Sequence, residues 1–181
     1  ILTRLVGSEM CIRDRVTSVF WQDWNANNSN RMVSTGSDAA GVLSEYAVLP
    51  KEAVLPIPEY MSYQEASTIP CAAVTAWTCI KAANIGSGDT VLLLGTGGVS
   101  VLALQILKAM QANVIITSSS NEKLQRAKEL GADHTINYKE NPEWGSDAFG
   151  LSNGGVDLVI EIGGESTFPQ TINALKIGGH I

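Results

Sequence analysis

The apolar pattern of the chain changes character partway along. From residue 90 onward, short apolar runs (90–94, 113–117, 134–137 and 156–162) alternate with longer segments whose apolar residues recur at helical spacing (98–110, 121–130, 142–151 and 167–176). Runs of the first kind predict buried strands, and segments of the second predict helices with one apolar face. Gly131 stands where the second helix should stop, as a C-cap, and Pro169 is tolerated in the first turn of the last. Strands alternating with helices of this length predict an α/β fold built on a doubly wound parallel sheet. The sheet reads as incomplete, because a fifth strand starts only at Gly178-Gly179-His180-Ile181, leaving the edge of the fourth exposed as an aggregation liability.

Before residue 90 the pattern is different. Residues 16–24 begin with strand-like side chains and run into the polar loop 25–30; 41–50 read as extended, and 53–55 as a short strand stopped by Pro56 and Pro58. Strands without intervening helices suggest the end of a mainly β domain. Ser62-Tyr63-Gln64-Glu65 is a capping box, in which the serine oxygen and the glutamate three positions on satisfy free N–H groups at a helix start. That helix is interrupted at Pro70 and resumes over 71–83, so the domain boundary is placed near Ser62, with 16–61 as the remnant of a β-rich domain and 62–181 as the α/β domain.

Composition narrows the class. The chain has 181 residues, 45% of them hydrophobic and 17% charged, which is the make-up of an ordinary globular protein. No apolar run approaches the roughly 20 residues of a membrane span. The net charge of −6 comes without any lysine-arginine run able to track a phosphate backbone, so neither a membrane nor a nucleic acid is an expected partner. Cys71 and Cys79 would lie about 12 Å apart on a helix, beyond disulfide reach, which fits a reducing, cytoplasmic setting. The stretch from Leu5 to Arg15 reads as the translation of a transposase-type sequencing adapter, and residues 1–15 are therefore set aside from the fold and function readings.

The stretch carrying most chemistry is Val91-Leu92-Leu93-Leu94-Gly95-Thr96-Gly97-Gly98-Val99-Ser100, an apolar strand, a glycine turn and an immediate helix. Gly95 permits the tight turn, Gly97 lets the backbone approach a pyrophosphate, and Ser100, where glycine or alanine is usual, is small enough for the helix to pack on the strand. Free N–H groups and the dipole at the helix start favour an anion there. The motif predicts a Rossmann-type dinucleotide site, although a glycine turn in another α/β fold, such as a methyltransferase, has the same spacing. An NAD site normally carries an acid about twenty residues on, to hold the ribose 2′-hydroxyl. Here the second strand ends in Thr117-Ser118-Ser119-Ser120-Asn121-Glu122-Lys123, where hydroxyls and a lysine suit a 2′-phosphate, favouring NADP(H) over NAD(H). The alternative is that Ser120 caps its helix, Lys123 is solvated and Glu122 reaches the ribose.

At this point the segment from Phe20 to Ile181 resembles the medium-chain dehydrogenase/reductase superfamily, in its zinc-type alcohol dehydrogenase-like and quinone oxidoreductase-like branch. The resemblance is carried by Phe20-Trp21-Gln22-Asp23-Trp24, by Gly41 through Pro50, by Ile69-Pro70-Cys71-Ala72-Ala73-Val74-Thr75-Ala76-Trp77, by the glycine turn, by Glu129 through His134 and by Ala174 through His180. It implies a β-rich, GroES-like catalytic domain interrupted by the nucleotide domain, and hydride passed between NADP(H) and an alcohol, carbonyl or activated alkene. It further implies that Gly95, Gly97, Gly98 and Val99 contact the pyrophosphate and that Ser118, Ser119, Lys123 and Tyr138 surround the 2′-phosphate. Thr75 and the pair Gly163-Gly164 would approach the nicotinamide half. Tyr138 has the alternative of packing on its neighbour at a strand end. In zinc-dependent members the segment matching Cys71 supplies a thiolate to the metal, which needs three protein ligands. One cysteine is not a metal site, so Cys71 is read as a buried, inert cysteine, zinc is not expected, and no catalytic acid or base is assigned. The expectation is thus an inactive fragment of an NADP(H)-dependent oxidoreductase acting on a small molecule, whose parent is a candidate homo-oligomer. A nucleotide-binding module without turnover and an NAD- and zinc-dependent alcohol dehydrogenase are the alternatives.

Overall fold

The computed structural model describes residues 14–22 and 33–181, and contacts divide the chain into two compact units, Ile1–Cys71 and Ala72–Ile181. The division falls within a helical segment, beyond the capping box at Ser62.

In the first unit, strand β1 (Val16–Ser18) pairs antiparallel with β2 (Val54–Pro56), with Thr17 opposite Leu55. Trp21 bridges to Ser34, whose N–H and hydroxyl both donate to the Asp38 carboxylate, at 3.0 and 2.7 Å. Arg15, which the sequence reading set aside with the adapter-like stretch, donates to the carbonyls of Glu59 and Met61 and lies 4.5 Å from the centre of the Tyr63 ring. Residues 1–13 lie outside the described residues. The predicted extended stretch 41–50 forms no strand: Leu43, Tyr46 and Val48 are exposed, and its alternation has no partner strand to bury it among the described residues. Helix α1 (Tyr63–Thr68) starts on the predicted capping box, with Glu65 N–H donating to Ser62 Oγ at 3.2 Å and Ser62 N–H donating to Glu65 Oε2 at 2.8 Å. Pro70 does not break the helix. Its missing N–H is absorbed by a π-helical turn, Ile69–Ala73, a widening that accommodates one lost backbone bond.

The second unit begins with α2 (Val74–Ala82) and then alternates as predicted: β3 (Thr90–Leu93), α3 (Gly98–Ala109), β4 (Asn113–Ser118), α4 (Asn121–Glu129), β5 (His134–Asn137), α5 (Trp144–Leu151), β6 (Val156–Ile160), α6 (Phe168–Ala174) and β7 (Leu175–His180). All five strands are parallel in the order β5-β4-β3-β6-β7, so the chain winds one way from β3 to β5, then crosses back to build the other half. The pleat sorts the apolar runs onto two faces. Val91, Leu93, Val114 and Ile116 pack with Ile80, Leu104, Leu107 and Leu124 on one side; Leu92 and Ile115 pack with Trp144, Ala148 and Ala174 on the other. Strands buried on both faces are continuous apolar runs for this reason. Among the described residues no helix is long and apolar enough to cross a membrane.

One expectation is corrected at the end of the chain. The last helix stops at Ala174, and Leu175 and Lys176 already belong to β7, which pairs with β6 from Val156↔Leu175 to Leu158↔His180 around a bulge. The edge of β6 is therefore covered. The cause is tertiary: Leu175 takes extended backbone and packs on the second apolar face, while the Lys176 ammonium reaches Asp157 on β6.

The amino ends of the strands carry two matched acid–lysine contacts. Asp133 accepts the Val114 N–H and the Lys108 ammonium, both at 2.7 Å. Asp157 accepts the Thr90 N–H at 2.8 Å and the Lys176 ammonium. Burial raises both carboxyls, but hydrogen bonds from the lysines and the strand N–H groups, with the lysine charges, outweigh it and hold each below its ordinary value. Such a carboxylate binds fewer protons folded than unfolded, so it stabilises the fold at neutral pH and loses that contribution as pH falls through the folded-state value. Thermal melts should therefore give a Tm that is flat near neutrality and falls below about pH 5. The double variant D133N/D157N should start lower and lose less on acidification. A wild-type Tm that rises on acidification to pH 4 would contradict this.

Candidate dinucleotide site

The glycine turn sits where β3 ends and α3 begins, at the carboxyl edge of the central strand. Gly95 has φ +71°, a left-handed conformation natural to glycine, and its N–H donates to Thr117 Oγ1 at 3.0 Å. Gly97 takes extended backbone as the N-cap of α3, with no side chain capping the helix. A Cβ built on Gly97 would meet nothing within 4 Å, and one on Gly98 would meet only Ala72 Cβ at 3.6 Å. The first turn of α3 holds no acidic residue. The N–H groups of this turn have no intrahelical carbonyl to bond, so the surface in front of Gly97 combines open space, donors and the positive end of a long helix. That combination fits the pyrophosphate of a dinucleotide.

Ser100 is fully buried, and its hydroxyl donates to the Leu94 carbonyl at 2.8 Å. Beyond its small size, it thus ties the helix to the strand it follows. The next latch was not foreseen from the sequence: Thr96 Oγ1 lies 3.1 Å from Ser118 Oγ, joining the turn to the end of β4. Thr117 and Ser118 are both buried, so these hydroxyls shape the turn from beneath. Their signal in the sequence is a pair of polar residues closing an otherwise apolar strand.

The register of β4 with β5 puts Ser118 opposite Asn137, and the Tyr138 N–H donates to the Ser118 carbonyl at 3.1 Å. Of the predicted group, Ser118 and Tyr138 are thereby brought side by side at the carboxyl edge. Ser120 caps α4 by accepting the Lys123 N–H, at 3.4 Å, while Lys123 is exposed in the first turn and the Tyr138 side chain is 41% exposed. Next to it Asn121 and Asn137 both donate to Glu140 Oε1, at 2.7 and 2.9 Å, which fixes the loop after β5.

Thr75 lies on α2 and shares a cleft with Thr78, Cys79, Glu161, Ile162 and His180, so α2 and the segment after β6 face the same space. Gly163 and Gly164 follow there, Gly164 with φ +86°. Glu161 receives four hydrogen bonds, from the N–H groups of Gly163 and Gly164 at 2.6 and 3.0 Å and from the hydroxyls of Thr167 and Thr171. Burial raises its carboxyl, and those hydrogen bonds, led by Thr171 and Thr167, bring it below the ordinary value. Cys71, expected to be buried, instead lies in the π-helical turn and is exposed, and neither it nor Cys79 is in a disulfide. Among the described residues no group of three or more His, Cys, Asp or Glu side chains is placed to hold a metal.

Comparison with known proteins separates the readings of this turn. Residues 98–181 match the family described as zinc-binding dehydrogenase. A zinc-type alcohol dehydrogenase-like protein of Schizosaccharomyces pombe is 51% identical over 150 residues, covering 81% of this chain and 43% of the relative. A solved NAD-dependent alcohol dehydrogenase is 39% identical with a TM-score of 0.79, covering 84% of this chain and 45% of its own. The quinone oxidoreductase of Thermus thermophilus, solved also in complex with NADPH, is 35% identical with a TM-score of 0.67, covering 77% and 45%. The chain belongs to the medium-chain dehydrogenase/reductase superfamily, whose zinc-type alcohol dehydrogenase-like and quinone oxidoreductase-like members it matches. It spans less than half the length of these relatives.

Proposed function

We propose that the chain is the nucleotide-holding part of an oxidoreductase that binds NADP(H) in preference to NAD(H) and passes hydride between it and a small alcohol, carbonyl or activated alkene, in a cytoplasmic setting. The observation that carries the reading is the uncapped start of α3 behind Gly97, open on the side where a side chain would stand. In this reading Gly97, Gly98 and Val99 present N–H groups to the pyrophosphate, and Gly95 with Thr117 holds the bend that exposes them. Ser119, Lys123 and Tyr138 receive the adenosine 2′-phosphate, with Ser118 supporting them from the strand through Thr96. Thr75 and the Gly163-Gly164 turn bound the space for the nicotinamide end. The cofactor supplies the hydride, and the residues of this chain orient it.

The cofactor preference rests on Lys123, which stands in the first turn of α4 where a phosphate would add charge-assisted bonds. Titration of the chain with NADPH and NADH should give tighter NADPH binding by about tenfold, and Lys123→Ala should remove most of that difference, as roughly 1.4 kcal/mol corresponds to tenfold. Equal or tighter NADH binding by the wild-type chain would overturn the preference and restore Glu122 as the ribose ligand.

A second reading is NAD- and zinc-dependent alcohol oxidation, favoured by Cys71, which stands in the segment that resembles the one supplying a metal-bound thiolate in zinc-dependent members. It needs ligands beyond those the described residues bring together, and metal analysis of a chain with the relatives' full length would decide it. The 181 residues by themselves are expected to bind the dinucleotide without turning over quinones, enones or aldehydes, because they correspond to less than half of the relatives. Sustained NADPH oxidation with any of these acceptors would refute that.

A further inference from the structure

Two hydroxyls meet where the glycine turn touches the end of β4, and their hydrogens do not balance. Ser118 Oγ lies 3.1 Å from Thr96 Oγ1 and accepts the Ser120 N–H at 3.4 Å. Each hydroxyl brings one hydrogen, so one of the two closes the contact between the oxygens and the other is left over. Burial decides which. Ser118 is 3% exposed, and among the described residues the Thr96 oxygen is the acceptor its hydrogen reaches. Thr96 is half-buried and stands on the turn itself. A hydroxyl hydrogen without a partner costs most where neither water nor a ligand can take it. Ser118 therefore donates to Thr96, and the hydrogen left over belongs to Thr96, on the accessible side of the pair.

The same count sets Ser118 apart from its neighbours. The family resemblance groups it with Ser119, Lys123 and Tyr138 around a 2′-phosphate, yet its oxygen holds the Ser120 N–H, its hydrogen goes to Thr96 and its side chain is buried. Nothing on it is left for a ligand. We infer that Ser118 is a positioning residue rather than a 2′-phosphate ligand: by donating to Thr96 it fixes the Thr96 hydroxyl as a donor, and a phosphate oxygen of the dinucleotide accepts from it. The neighbouring Thr117 does a separate job, since its Oγ1 accepts the Gly95 N–H and so places the backbone of the turn. Ser118 aims a side chain on a turn that Thr117 already holds. This rests on the dinucleotide reading above and adds to it a side-chain donor, Thr96, which none of the glycines can supply. It also carries a consequence for specificity. The pyrophosphate is common to NADPH and NADH, so Ser118 serves both alike, and the choice between them is left to Lys123.

The test is a double-mutant cycle read with two ligands. Affinities of the 181-residue chain for NADPH and NADH are measured for wild type, Ser118→Ala, Thr96→Val, Thr96→Ser and the double variant carrying Ser118→Ala and Thr96→Val, each with its Tm. Valine keeps the shape of threonine without the hydroxyl, and serine keeps the hydroxyl. Thr96→Val is expected to weaken both dinucleotides by about tenfold, the worth of one hydrogen bond to a charged group, and Ser118→Ala to weaken both by about fivefold, because a hydroxyl no longer aimed still meets the phosphate part of the time. Thr96→Ser should stay within about threefold of wild type. In the Thr96→Val background, Ser118→Ala should change affinity by no more than about twofold, since no hydroxyl remains to be aimed. A Ser118→Ala loss confined to NADPH would make Ser118 a 2′-phosphate ligand and overturn the inference. Losses that simply multiply in the double variant would make Ser118 a structural support of β4 and overturn it as well, as would unchanged affinities in Thr96→Val. Wild-type chain that binds neither dinucleotide would instead bring down the dinucleotide reading, and this inference with it.

Discussion

Gly97→Asp should abolish dinucleotide binding while leaving the fold as stable as before or slightly more so. The two effects have opposite signs because one position serves two purposes. As the N-cap of α3, residue 97 has extended backbone that any residue adopts, and aspartate is among the best caps, worth a few tenths of a kcal/mol over glycine. Its carboxylate would also sit favourably at the positive end of the helix dipole, worth about 0.3–1 kcal/mol. A Cβ at this position would meet nothing within 4 Å, so no clash at the branch point opposes these gains. That open space is the one proposed for the pyrophosphate, and a carboxylate there both fills it and repels it. An affinity loss of about a hundredfold or more, roughly 2.7 kcal/mol, is expected alongside a Tm equal to or above wild type. Retained NADPH affinity in this variant would remove the basis for placing the pyrophosphate at α3.

The second large effect concerns stability and is carried by one helix. Gly145 and Gly150 both lie in α5, where alanine is intrinsically preferred over glycine by up to about 1 kcal/mol. Nothing lies within 4 Å of a Cβ on Gly150, so Gly150→Ala should raise Tm by a few degrees. A Cβ on Gly145 would press into the Gln170 carbonyl oxygen and stand 2.8 Å from the carbonyl carbon, both backbone atoms of α6. Neither can yield without moving one helix off the other, and α5 and α6 together cover the sheet face that buries Trp144 and Ala148. Gly145→Ala should therefore destabilise by about 3 kcal/mol or more in spite of its better helix propensity, giving a Tm drop of roughly 10 °C. Denaturant or thermal unfolding of the two variants checks the reversal; a stabilised Gly145→Ala protein would mean that α5 and α6 are not packed this closely.

These glycines show what kind of information the sequence holds. The strands of the second unit were legible because burial on both faces writes a continuous apolar run, and the helices because one buried face writes a period. The capping box at Ser62 and the C-cap at Gly131 are local chemistry, and local chemistry is visible in a window of a few residues. The start of β7 was not, since Leu175 and Lys176 continue a helical period and are pulled into extended backbone by partners far away in sequence, Asp157 among them. The stretch 41–50 failed in the opposite direction, alternating as a strand would with no partner among the described residues to pair it. At the site, the positions of Gly95, Gly97 and Ser100 followed from spacing alone. The latches Thr96–Ser118 and Gly95–Thr117 did not, because they join residues that only the parallel register of β3 with β4 brings together. Glu161 was visible as an acid at a strand end; its four donors were not.

The paired contacts of Asp133 and Asp157 lie at the opposite edge of the sheet from the glycine turn, each fastening the first residues of a neighbouring strand. Strand order is thus enforced at the edge where no ligand is proposed to bind. The exposed positions at the other rim are relieved of that duty, and a substitution at Lys123, which is exposed, is expected to be answered in recognition before it is felt in the architecture. A scaffold fastened in this way is open to change of cofactor or acceptor by small steps, each one tolerated by a frame that does not depend on the residues being tried.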